Sequence, residues 1–206
     1  MSKGILTLML LLACFCSLAE VQPRYQYSGY SDYSANSWLI SLGQYQLDDD
    51  RAAREGVEDD AVYISGSYQY QYHDFLFGIG ISALVYDDNE EFTVRVENRW
   101  GYESNRDSDA TGYGVFGQLG YSLAMRSDRT LSVDFLGGYE RLWSERSVSF
   151  CDDCPEEDID IEGGAFAKAS IRWIVRRPYT LSLNLKQFFT DSVDTGVDLT
   201  FGLTLY

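Results

Sequence analysis

Val197-Asp198-Leu199-Thr200-Phe201-Gly202-Leu203-Thr204-Leu205-Tyr206 closes the chain, with apolar residues at every odd position and Asp, Thr, Gly and Thr at 198, 200, 202 and 204. Alternation with a period of two is a β-strand with one apolar face and one small, polar face. A long strand at a chain terminus would be an exposed edge in an open sheet, and exposed edges invite aggregation. Pairing with the first strand of the chain removes that edge. The stretch therefore argues for a closed barrel.

The same period recurs through the 206 residues. It predicts strands at 37–47, 61–73, 75–86, 112–124, 130–143, 163–175, 179–189 and 197–206. The segment 61–73 sets Val62, Ile64, Tyr68, Tyr70 and Tyr72 against Tyr63, Ser65, Ser67, Gln69 and Gln71. The next sets Phe75, Phe77, Ile79, Ile81, Ala83 and Val85 against Gly78, Gly80 and Ser82. The least regular is 37–47, where Trp38, Ile40 and Leu42 share a face but the second half alternates poorly. Composition agrees with strands: 16 Tyr, 11 Phe and 4 Trp are β-formers, and only 3 Pro interrupt the chain.

Eight strands of roughly ten residues each are long enough to cross a bilayer at a tilt of about 45°. Their connections alternate in length. Short turns fall at 73–74, 125–129 and 176–178, and long loops at 48–60, 87–111 and 144–162, with a modest one at 190–195. Short turns at one end and long loops at the other are the pattern of an outer-membrane barrel. The expected fold is all-β: an eight-stranded antiparallel up-and-down transmembrane β-barrel over 37–206. Within the second long loop Phe92-Thr93-Val94-Arg95-Val96 alternates as well, which predicts a hairpin standing beyond the membrane.

The amino terminus fits export. Lys3 precedes an apolar run from Ile5 to Cys16, and Ser17-Leu18-Ala19 offers small residues for cleavage before Glu20. That run is too short for a membrane helix, which needs roughly 20 apolar residues. Residues 1–19 are expected to leave as a signal peptide, with 20–36 a Tyr-rich periplasmic entry segment. Leu11-Leu12-Ala13-Cys14 also looks like a lipoprotein box, a competing reading in which Cys14 is lipidated.

A soluble eight-stranded barrel binding an apolar ligand would put the apolar face inward. Against it, the apolar sets here are nearly free of charge, and the opposite sets are rich in Gly, Ser and Thr and include charges. Aromatics also gather near strand ends (Trp38, Tyr70, Tyr72, Trp143, Trp173 and Phe189), as interface girdles do. Counted up from the turns, Asp134 and Arg172 reach similar heights on neighbouring strands, as do Glu140 and Lys168. An eight-stranded barrel is only wide enough to be filled by side chains. The expected lumen is plugged by the ion pairs Asp134–Arg172 and Glu140–Lys168, and Lys168→Ala is expected to destabilise it.

This chain resembles the eight-stranded outer-membrane barrels of the OmpA-transmembrane-domain and OmpX type from Gram-negative bacteria. The resemblance covers 37–206 and rests on pattern. It implies a bacterial outer-membrane location, contact with outer-membrane lipid and lipopolysaccharide, and delivery by the barrel-insertion machinery. One departure is that Tyr206 falls on the polar parity while Leu205, Leu203 and Phe201 carry the apolar face.

The formal net charge of −16 belongs to the loops, since 48–60, 87–111, 144–162 and 190–195 carry −5, −5, −7 and −2. Such a chain repels nucleic acid. The carboxylates read first as a solvated surface. They could also gather Ca²⁺ or Mg²⁺ beside lipopolysaccharide, or dock a basic extracellular partner. Asp48-Asp49-Asp50 lacks the spacing of a calcium loop, so no metal site and no cofactor is expected. Cys151-Asp152-Asp153-Cys154 lies in an oxidising compartment, where a small structural disulfide between Cys151 and Cys154 is the expectation. The single histidine, His73, sits at a short turn beside Asp74 with Ser65 and Ser67 several residues up the strand. That spacing does not bring a nucleophile within reach of a base. The sequence points to a non-enzymatic outer-membrane barrel acting in envelope integrity, adhesion or partner binding. A small channel or porin, a lipid-modifying enzyme and a soluble ligand-binding barrel are the alternatives.

Overall fold

A computed structural model describes residues 34–88, 91–95, 103–125, 129–147 and 156–205, with the segments 91–95 and 103–107 given by their backbone pairing. Outside these residues lie the expected signal peptide, most of the entry segment, Cys151, Cys154 and Tyr206. In chain order the elements are β1 (Ser34–Leu47), α1 (Asp49–Glu55), β2 (Val57–Tyr72), β3 (Phe75–Asp88), β4 (Glu91–Arg95) and β5 (Glu103–Asp107). They continue with β6 (Asp109–Ala124), β7 (Leu131–Ser147), β8 (Glu156–Ile159), β9 (Ala165–Arg176), β10 (Tyr179–Phe188) and β11 (Val193–Leu205).

Eight of these strands close into one antiparallel, up-and-down barrel. Each pairs with the next barrel strand along the chain, β6 pairs with β7, and β11 pairs back onto β1 from Asn36↔Leu205 to Leu47↔Val193. The terminal strand is therefore an interior seam and not an edge. A hydrogen-bonded row that leaves β9 at Ile174 passes Thr180, Gly202, Leu39, Ser67, Gly80, Phe116 and Glu140. It returns beside Gly164, ten residues from where it started. Such a stagger tilts the strands by roughly 35–45° and fixes the barrel's width.

Burial is inverted relative to a soluble protein. Ile40, Ile79 and Leu119 point outward and are 65%, 67% and 65% exposed, whereas Glu140 is 0% and Lys186 3% exposed in the lumen. A continuous apolar belt this large on a monomer marks contact with a nonaqueous surround. Aromatic pairs sit at both rims of the belt. Trp38–Tyr68, Phe75–Tyr121 and Tyr179–Phe201 lie toward the short-turn end, with centroids 5.2, 5.5 and 5.8 Å apart. Tyr113–Trp143 lies toward the loop end at 6.3 Å.

Above the belt the alternation continues but the chemistry of the two faces is exchanged. Outward positions there are polar or acidic (Gln44, Gln46, Asp60, Asp87, Glu145), and the inward ones are apolar: Tyr45, Leu47, Ala61, Tyr63, Leu84, Tyr86 and Leu142, with Ile159, Ile161 and Val193. This explains the irregular second half of β1, whose residues answer to lipid below and water above. The strands also outrun their expected limits, β1 starting at 34 and β6–β7 reaching 109 and 147, because backbone ladders continue wherever two strands stay paired.

The loops are more ordered than expected. Residues 49–55 form α1, capped by the Asp48 carboxylate accepting from Arg51 N–H at 3.0 Å and ended by Gly56 at φ 71°. Both are standard helix stops, and Asp49 and Asp50 suit the positive end of the dipole. The predicted hairpin exists as a separate two-stranded sheet, Glu91–Arg95 with Glu103–Asp107, and does not continue β3 and β6. β8 adds four residues to the upper edge of β7. No helix of the described residues is long and apolar enough to cross a membrane.

Candidate functional site in the barrel lumen

Inward positions stack in levels. Nearest the short turns, the Arg172 guanidinium on β9 lies 3.2 Å from Asp134 Oδ2 on β7. It also donates to Ser132 Oγ and Gln71 Oε1 at 3.2 Å and to Ser122 Oγ at 3.0 Å. One planar cation thus bridges β2, β6, β7 and β9, using the fork of donors that lysine lacks.

Above it lies a small polar cavity of about 30 Å³ whose lining includes Lys168, Gln118, Asp198 and Asn184. That space holds about two waters. Asp198 accepts from Asn184 at 2.5 Å and from Thr200 at 2.8 Å, while Gln118 Oε1 has no partner. Hydroxyl pairs Ser37–Thr204 and Ser41–Thr200, at 2.9 and 2.7 Å, line the β1–β11 seam.

The third level is a buried ion pair in an aromatic box. Lys186 Nζ pairs with Glu140 Oε2 and donates to Tyr45 Oη at 2.8 Å. Tyr45 in turn donates to Glu140 at 3.0 Å, and Ser82 Oγ donates to its other oxygen at 2.6 Å. Rings of Phe166, Phe188, Tyr45, Phe116 and Tyr63 surround the ammonium at 3.9, 4.6, 5.3, 5.4 and 5.8 Å from their centroids. Their π-faces replace part of its lost hydration.

The sequence expectation paired Glu140 with Lys168. Instead Glu140 takes Lys186, and among the described residues no carboxylate lies within ion-pair distance of Lys168. The register explains the difference: Lys168 stands opposite Leu136, four residues below Glu140 on β7, and directly beside Lys186 on β10. Counting up from the turns ignores the stagger, and Lys186 reaches Glu140 across the lumen, past β9. Nothing in the local pattern around Lys186 (Ser182, Asn184, Lys186 on one parity) sets it apart; only the closed register does.

The apolar cluster then fills the mouth at the loop end. Tyr45 and Tyr63 stack at 4.2 Å, and Ala52 of α1 packs into the group. Arg51–Asp160 at 2.6 Å and Arg146–Asp88 at 2.7 Å flank it, and Arg146 donates to the Glu55 carbonyl at 2.5 Å. The lumen has polar chambers and is filled toward its loop end by this cluster.

His73 lies in the β2–β3 turn at φ 55°, its ring 4.3 Å from that of Tyr72. Asp74 is held by Arg129 at 3.2 Å and by Tyr121 Oη at 3.1 Å. Ser65 is buried inside the barrel, eight residues along the strand from His73. The three are not brought together. No cluster of three or more His, Cys, Asp or Glu placed to hold a metal occurs among the described residues.

No family model matches the chain, and no curated protein matches it. Solved structures do. The attachment invasion locus protein Ail of Yersinia pestis aligns with 84% of this chain and 97% of its own at 11% identity and a TM-score of 0.49. Neisserial surface protein A covers 84% and 95% at 9% identity, TM-score 0.45. The amino-terminal β-barrel domain of Pseudomonas aeruginosa OprF covers 82% and 97% at 10% identity, TM-score 0.40.

Proposed function

We propose that the protein is a non-enzymatic barrel of the bacterial outer membrane, exported with loss of residues 1–19, that carries an acidic extracellular platform for adhesion or partner binding. The observation that carries this reading is the inverted burial of a closed barrel whose loop end is filled by its own apolar cluster. An apolar belt outside and ion pairs inside suit a bilayer and no other solvent. The buried apolar cluster of Tyr45, Leu47 and Leu142 at the loop end argues against a channel. What remains for function is the surface above the membrane, where acids prevail. A basic partner would be drawn there by long-range attraction, falling off at physiological ionic strength over a Debye length of about 8 Å.

Two measurements test this. On unboiled SDS gels the outer-membrane fraction should show a compact band that shifts on boiling; a soluble protein without a shift would end the membrane reading. In planar bilayers the purified barrel should give no steady single-channel steps, and reproducible steps would make it a pore.

A further inference from the structure

The outward face of β6 and β7 carries Gly117 and Gly137 in the middle of the apolar belt. Glycine weakens a strand interior, and it usually marks a bulge, a close backbone approach or a bound ligand. The β6–β7 register runs without a bulge from Asp109↔Ser147 to Ala124↔Ser132. A Cβ at Gly117 would meet nothing within 4 Å, and one at Gly137 only a carbonyl at 3.9 Å. Neither bulge nor crowding accounts for them. They floor an open groove of about 640 Å³ on the outer surface, walled by Phe77, Ile79, Leu119 and Tyr139. One outward step above Tyr139 stands Arg141, exposed and stacked on Trp143 at 5.1 Å. Among the described residues it is the one charged side chain on the outward face between the periplasmic girdle and Trp143. Glu145, two further outward steps up, can accept hydrogen bonds from hydroxyl groups.

We propose that this groove and Arg141 hold one phosphorylated glycolipid of the outer leaflet, an acyl chain lying over Gly117 and Gly137 with its phosphate on the guanidinium. The inference rests on the membrane-spanning reading above. The exposed lining of the groove is almost wholly apolar, which suits hydrocarbon. At its upper end a guanidinium matches a phosphate by paired hydrogen bonds, and Glu145 favours a sugar over a glycerol headgroup.

The test is native mass spectrometry of the detergent-released barrel with bisphosphorylated lipid A, phosphatidylglycerol or phosphatidylcholine added separately. Wild type should retain one lipid A. R141Q should weaken retention at least tenfold, and G117L/G137L, which fills open space, should do the same while both keep the heat-shifted band. Retention unchanged in either variant, or phosphatidylglycerol held as well as lipid A, overturns the assignment. A barrel pair in place of a lipid adduct would assign the groove to a second copy and overturn it too. Loss of the heat shift in wild type would instead overturn the membrane reading, a separate failure.

Discussion

Lys186 is the residue on which the lumen turns. Its charge is buried, ringed by five aromatics and matched by one carboxylate. Breaking such a pair leaves an uncompensated buried charge and costs about 3–5 kcal/mol, whereas replacing both partners is often close to neutral. Lys186→Met should lower the free energy of urea unfolding of the barrel in lipid vesicles by that amount, and Lys186→Met with Glu140→Gln should recover most of it. Equal losses in the single and double variants would remove the pair from the account. Lys168 separates two readings of the sequence. The expected Glu140–Lys168 pair makes Lys168→Ala destabilising; with Lys168 instead lining a polar cavity beside Gln118 and Asn184, the change should cost less than about 1 kcal/mol by the same unfolding assay.

At the scale of elements, α1 is a small cap whose stability is local. Removing the Asp48 cap by Asp48→Ala should cost about 1 kcal/mol, and Gly56→Ala a similar amount because φ 71° strains an L side chain. Both losses belong to the cap and not to the barrel. Amide hydrogen exchange should quicken in residues 49–56 while the global unfolding midpoint stays put. A drop in the midpoint would mean that α1 is part of the cooperative unit. The helix was legible in Asp48-Asp49-Asp50-Arg51-Ala52-Ala53-Arg54-Glu55-Gly56, which has a cap, an acidic first turn and a terminal glycine. The acids were counted as charge and not as capping groups. Strands within the belt were legible because lipid outside and polar groups inside keep period two intact. Those above it were not, since Tyr45 and Leu47 turn inward where Ile40 and Leu42 turn outward. Pattern alone cannot say at which residue the surrounding medium changes. The Asp134–Arg172 pair is legible in the sequence, whereas the partner of Glu140 is not, because the stagger that brings Lys186 to it is a property of the closed ring and is written in no single strand.

For the whole molecule, the apolar cluster at the loop end separates structure from transport. Planar-bilayer recordings of Arg172→Ala should remain without steady steps, because the bridge it removes lies below a mouth still filled by Leu47, Leu142 and Ile161. Conductance in that variant alone would show that Arg172, and not the apolar cluster, is the barrier.

The apolar cluster also bears on the order of assembly. It draws residues from β1, β2, β3, β6, β7, β9, β10 and β11, so it has no stable partial form while the β1–β11 seam is open. It is complete only when the ring is complete, so loss of the β1–β11 pairing would open the Glu140–Lys186 pair beneath it to water.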